Sequence, residues 1–232
     1  MNANTGRTLR IVAIVFMGLT AAMNLLGGIG TVCAAFIKTY SAALSVYRFD
    51  QYDYRWLYQA LMITTIIIGI AGVWSTMRLL RGGPKVYRNA LWILIIGTVL
   101  GGIQFFGSLA IRGEATPANV KFFTNVVTLI LFLALKAPGV REKIDFSSPM
   151  SKAEKTAAGG MASIVAGITM LTVFTWAGPS HMYQGESWIE VLDAPLIVGG
   201  SLLVAGGIAA IIWSILELIK QEKLEAAAHL IR

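Results

Sequence analysis

Ionisable side chains are scarce in this chain, and cysteine and histidine are almost missing. A single cysteine, Cys33, excludes an intrachain disulfide and any Cys-x-x-Cys redox pair. Two histidines, His181 and His229, are too few for a Cys/His zinc site and lie too far apart for a bis-histidine haem motif. No metal and no cofactor are therefore expected. Charged residues make up 13% of the chain, about half the share in a soluble domain. They are absent from long windows and crowded between them, so a large soluble core is excluded as well. There is no Walker loop, no dinucleotide-binding glycine motif after a strand, no HExxH and no catalytic-triad spacing. The glycine runs lie inside apolar segments, where such motifs carry no meaning.

What remains is hydrophobic sequence, 56% of 232 residues. Residues 11–37 hold no charge, which exceeds the roughly 20 apolar residues needed to cross a bilayer. Arg7 and Arg10 ahead of this run imitate a signal peptide, but the run is far longer than a signal core. Gly30-Thr31-Val32-Cys33 is a poor lipoprotein box, because Val32 is bulky where a small residue is needed. An uncleaved first membrane helix is expected. Hydropathy predicts six spans, at about 11–37, 58–77, 91–111, 118–136, 155–177 and 195–219.

The connections carry their own signals. Gly82-Gly83-Pro84 should end the second helix and reverse the chain. Thr116 and Pro117 read as N-cap and first position of the fourth helix. Ser151 to Glu154 is a capping box opening the fifth. Ser187 to Glu190 reads as a second box, for a short interfacial helix, and Asp193 before Pro195 as a cap for the sixth. The tail beyond the sixth span should remain helical. Fourteen of the nineteen lysines and arginines fall in the N-terminus, the second and fourth loops and the C-terminus. Both termini are thus expected in the cytoplasm, and the expected setting is a prokaryotic plasma membrane. The net charge of +7 is accounted for by these loops, and no nucleic-acid partner is expected. Gly18, Ala22 and Gly28 align at constant offset with Gly97, Gly101 and Gly107, a pattern that duplicated hairpins would produce.

The candidate site is a polar seam. Thr20, Asn24, Gly27 and Thr31 share one face of the first helix; Gly97, Gly101, Gln104 and Ser108 share one face of the third. Asn125 and Thr128 are neighbours on the fourth. An amide at mid-depth needs a partner, because lipid cannot hydrogen-bond it. Asn24, Gln104, Asn125 and Thr128 could converge as a neutral hydrogen-bonding site opening outwards, or as interhelical glue, the commoner role. No acid or base is expected deep in the first five helices; Asp193 and Glu217 read as interfacial on the sixth. That argues against an ion-driven pump. Gly27, Gly28, Gly97 and Gly101 are expected close-approach points, and Ser201, Ala205 and Ala209 a packing stripe within the chain or across an oligomer. The segment around Tyr47, Asp50, Tyr52, Asp53 and Trp56 is expected in the headgroup region, as an aromatic belt or a partner surface. His181 reads as an ordinary loop histidine, and Cys33 as a small core residue.

The expected fold is an all-α bundle of six transmembrane helices in one domain, residues 1–232, with short interfacial helices in the outer loops. The expected function is non-enzymatic: an accessory or scaffold subunit that binds membrane lipid, other membrane subunits or further copies of itself. The alternative is a small transporter or channel for a neutral or lipophilic solute, using the seam.

Overall fold

The computed structural model describes residues 3–36, 54–113, 115, 118–177, 182–183, 186–187 and 189–230. Among them are seven α-helices: α1 (Ala3–Phe36), α2 (Arg55–Arg81), α3 (Val86–Arg112), α4 (Ala118–Ala134), α5 (Lys152–Leu171), α6 (Val173–Ala177) and α7 (Asp193–Leu230). The exception to helix is a two-residue antiparallel pairing, Met182–Tyr183 with Glu186–Ser187. Four helices are long and apolar enough to cross a membrane: α1, α2, α3 and α7. Helices suit such sequences because every backbone amide is satisfied within its own segment. The chain divides into two compact units, Met1–Ser148 and Pro149–Arg232.

In the first unit α1 packs on α2 and α4, and α3 packs on α2 and α4, closing a ring of four helices. α1 and α2 meet along a ladder of small residues in antiparallel register. A methyl built on Gly28 would lie 2.6 Å from Ile66 Cγ1; on Gly69, 2.7 Å from Leu25 Cγ; on Gly72, 2.8 Å from Ala21 Cβ. Without a hydrophobic drive between helices in lipid, such close approach is a principal source of attraction. The expected duplication does not correspond to matching environments: Ala22 is exposed, while its counterpart Gly101 is buried against Phe122.

α1 starts at Ala3, well ahead of its apolar run, because Arg10 anchors that end. Its guanidinium donates to Ser148 O at 2.5 Å and to Leu79 O at 3.4 Å, so α1, the end of α2 and the segment after α4 are tied together. The turn between α2 and α3 follows its residues. Gly82 has φ 74° and Gly83 φ 136°, both in the positive-φ region that L side chains rarely adopt. Gly82 also presses on the Ser148 carbonyl, leaving no room for a side chain.

In the second unit α5 and α7 form an antiparallel pair. Ser151 Oγ accepts from Glu154 N at 3.2 Å and Glu154 Oε2 accepts from Ser151 N at 2.7 Å, the capping box read from the sequence. The helices touch at paired glycines. A methyl on Gly160 would meet Gly207 O at 2.7 Å, and one on Gly167 would meet Gly200 O at 2.6 Å. In the same register Ser214 Oγ donates to Ala153 O at 2.8 Å.

Three local expectations are corrected here. The fifth helix is interrupted at Thr172, whose hydroxyl is drawn back onto Ile168 O, and α6 continues only to Ala177. The backbone of Ser187 lies in the β pairing rather than at a helix start; the short turn Glu190–Leu192 follows Ile189 without a side-chain cap. Asp193 has helical dihedrals (φ −54°, ψ −55°), because that turn runs directly into α7, so it is the first residue of α7 rather than its cap. The contact of α7 with α5 falls at Gly200, Gly207 and Ser214; Ser201, Ala205 and Ala209, expected to pack within the chain or across an oligomer, are exposed on another face. Thr116 and Pro117 lie outside the described residues.

Candidate functional site: a lysine-bearing polar seam

Three tiers of polar side chains cross the interior of the first unit. The first joins all four helices. Lys121, in the first turn of α4, is 3% exposed; its Nζ donates to Thr65 Oγ1 on α2 at 3.1 Å and to Gln104 Oε1 on α3. Gln104 Nε2 donates onward to Thr31 Oγ1 on α1 at 2.9 Å, and Thr31 donates to Gly27 O at 2.6 Å. The second tier is a reciprocal amide pair: Asn24 Nδ2 to Asn125 Oδ1 at 3.3 Å and Asn125 Nδ2 to Asn24 Oδ1 at 3.1 Å. Asn125 Nδ2 also donates to Lys121 O at 2.9 Å, which couples the tiers. In the third, the Thr20 and Thr128 hydroxyls meet at 2.7 Å. Asn24, Gln104, Asn125 and Thr128 are each at most 6% exposed.

The glycines make room for this chemistry. A methyl on Gly27 would stand 3.1 Å from Lys121 Cδ, and one on Gly97 would stand 2.5 Å from Asn125 Oδ1. Gly27 and Gly97 therefore admit polar side chains, whereas Gly28 admits a neighbouring helix. Gly101 lies under Phe122, where a methyl would stand 3.4 Å from the Phe122 Cα, and Phe105 stacks on the same ring at 5.3 Å. Ser108 is reached from α2 by the Tyr58 hydroxyl at 3.2 Å, at the end of the bundle beyond the seam.

The expectation that no base lies deep in the first five helices is overturned by Lys121. The sequence places it in a loop because it follows a polar connection and opens its helix. The missed signal is a face: Ala118, Lys121, Asn125, Thr128 and Phe132 are the buried residues of α4, at helical spacing. Following the Asn125 and Thr128 face back one turn reaches Lys121. Its acceptors are neutral, and among the described residues it has no carboxylate partner. The seam thus includes a lysine that the sequence reading left out of it. Gln104 also joins Thr31 and Lys121 rather than the Asn24–Asn125 pair.

Past Thr20 and Thr128 the interior turns apolar. Ile14, Met17, Leu94 and Phe132, none more than 2% exposed, fill the bundle between the seam and the Arg10 end.

Other candidates lie elsewhere. Trp56 is 66% exposed in the first turn of α2; Tyr47, Asp50, Tyr52, Asp53 and His181 lie outside the described residues, as does the side chain of Cys33. Asp193 is exposed and Glu217 half-buried. Among the described residues no three His, Cys, Asp or Glu side chains gather to hold a metal. Compared with known proteins, the chain matches no family model, no curated protein and no solved structure.

Proposed function

We propose that this chain is a non-enzymatic scaffold or accessory subunit of a prokaryotic plasma membrane, binding partner helices or lipid through its outer faces. In this reading α4 and α5 join the four long apolar helices as spans, giving six, with both termini in the cytoplasm. Placing Lys121 inside the bundle supports that orientation, because only Lys38, Arg48, Arg55 and Arg112 then remain on the outer side. The observation that carries the scaffold reading is the apolar fill of Ile14, Met17, Leu94 and Phe132, at which the polar seam stops. A seam whose amides are paired with one another, and which has no continuation, acts as glue that fixes four helices in register.

The second reading is favoured by Lys121. An ammonium surrounded by neutral oxygens in a low-dielectric interior attracts an anion, so the transported solute would be a small anion rather than the neutral one expected from the sequence.

Proteoliposome flux separates the two. The scaffold reading expects chloride, acetate and glycerol to leak no faster than from empty liposomes, and none of them to raise the melting temperature in detergent. Saturable uptake of chloride or acetate that disappears in the variant Lys121→Met, with the variant still folded, would overturn it in favour of the anion path.

A further inference from the structure

At the end of the first unit where Arg10 is anchored, the turn between α2 and α3 and the segment after α4 enclose a cavity of about 540 Å³. Four cations line it: Lys85, Arg88, Lys136 and Arg141. Among the described residues none of the four is paired with a carboxylate; Lys136 instead rests 5.9 Å over the Tyr87 ring. The acid nearest in sequence to Arg141 after Glu142 is Asp145, and its carboxylate is taken up by Ser147 N at 2.7 Å, the Ser147 hydroxyl at 2.5 Å and Ser148 N at 3.3 Å. The floor is aromatic, with Tyr87 and Phe146 rings 5.5 Å apart. Tyr87 is held there by its hydroxyl, which donates to Phe132 O.

Two further features single this cavity out. Lys85 is the one non-glycine residue with positive φ among the described residues, at 66°, and L side chains occupy that region mainly where the surroundings force them to, often at binding sites. Arg88 also heads an exposed apolar stripe on α3: Trp92, Ile96, Val99 and Ile103 follow it at helical spacing, 59%, 46%, 57% and 47% exposed. A basic cup above a lipid-facing stripe has the shape of an amphiphile's site.

We propose that this cavity binds a phosphate-bearing anion, and that its continuity with the α3 stripe selects the headgroup of an anionic phospholipid over free phosphate. The phosphate oxygens lie among Arg88, Lys136 and Arg141, and the acyl chains descend past Trp92 and Ile96. Basic pockets at the ends of membrane helices recognise anionic headgroups by this means. The proposal rests on the helices spanning a membrane, and it is independent of whether the seam is glue or an anion path.

The test uses the full chain in phosphatidylcholine nanodiscs with or without a minor fraction of phosphatidylglycerol, with lipid retention read by native mass spectrometry. Wild type is expected to retain phosphatidylglycerol over phosphatidylcholine. The variant Arg88→Gln, Lys136→Gln, Arg141→Gln should lose that preference by on the order of a hundredfold, each surface cation being worth about fivefold. The exposed-lysine control Lys152→Gln, Lys155→Gln, Lys220→Gln should keep it. Should the triple variant misfold, Arg141→Gln alone, in an exposed turn, is expected to weaken retention about fivefold. Wild-type retention by either cavity variant, or equal loss in the control, overturns the site. Millimolar inorganic phosphate should leave the bound lipid in place; displacement by it would overturn the lipid as the source and leave a free-anion site.

Discussion

The Asn24–Asn125 pair allows a quantitative test of how the seam holds the bundle. Replacing Asn24 by Leu, close in volume, removes both amide bonds at 3.3 and 3.1 Å. Each interhelical bond contributes about 0.6 kcal/mol in the membrane, so about 1.2 kcal/mol goes with the pair. The damage does not stop there. Asn125 Nδ2 keeps Lys121 O as an acceptor at 2.9 Å, but Asn125 Oδ1, against Gly97 in a 1%-exposed site, keeps no donor. An orphaned buried acceptor costs about 1–3 kcal/mol, giving about 2–4 kcal/mol for Asn24→Leu. Asn125→Leu should cost a similar amount, because it strands the Asn24 amide. In the double variant both partners leave together, and only the lost bonds remain, about 1–2 kcal/mol. The cycle should therefore show a coupling of roughly 3–6 kcal/mol, with the double variant far more stable than the sum of its parents. Reversible unfolding by steric trapping in bicelles measures all four corners. Singles that add to the double within about 0.5 kcal/mol would refute the reasoning, since the two side chains would then not meet.

Three further outcomes follow from other parts of the chain. Gly207→Leu should destabilise the α5–α7 pair by about 1–3 kcal/mol or more through overpacking on Gly160 O, while the adjacent Gly206→Leu, with nothing within 4 Å, should stay within about 0.5 kcal/mol; equal melting of the two in detergent would contradict the register. In a Cys33→Ser background, a cysteine at Glu142 should be shielded from impermeant maleimide added outside right-side-out vesicles and one at Ser180 should react; the opposite pattern reverses the orientation. The Asp145 carboxyl is held down to about 2 by the Ser147 hydroxyl and then that of Ser148, so the order it lends the exposed loop is present above the ordinary carboxylate range and lost as pH falls from about 4 towards 2. Amide exchange at Ser147 and Ser148 should speed up over that interval in wild type and be fast throughout in Asp145→Asn; a wild-type profile in the variant would rule this out.

Much of the helical architecture is legible in the residues because lipid-crossing segments need length and apolarity, and α1, α2, α3 and α7 have both in full. The capping box at Ser151 and the Gly82–Gly83 reversal are equally readable, since each depends on residues adjacent in sequence. What escapes is whatever depends on partners far along the chain. Lys121 looks like a loop cation until Thr65 and Gln104 are placed around its ammonium, from sites 56 and 17 residues away. The α7 stripe at Ser201 and Ala205 is as regular as the one at Gly200 and Gly207, and only the docked α5 selects between them. Asp193 resembles a cap because Pro195 follows it, but the turn at Glu190–Leu192 has already started the helix.

Gly27 and Gly97 bear on heredity as well as packing. At each, the nearest obstacle to a methyl is a side chain on another helix, Lys121 Cδ at 3.1 Å and Asn125 Oδ1 at 2.5 Å, with Ile68 Cγ2 next at 3.3 Å from Gly97. A change at either glycine is therefore conditional on a second residue. Gly97→Ala, harmful alone, should be rescued by shortening the amide in Asn125→Ser, and Gly27→Ala by trimming the lysine in Lys121→Ser, whereas Gly28→Ala, whose neighbour includes the Ile66 backbone nitrogen at 3.2 Å, has no single-residue suppressor at hand. Gly27 with Lys121 and Gly97 with Asn125 thus form two coupled pairs of positions, free to drift together and constrained from drifting apart.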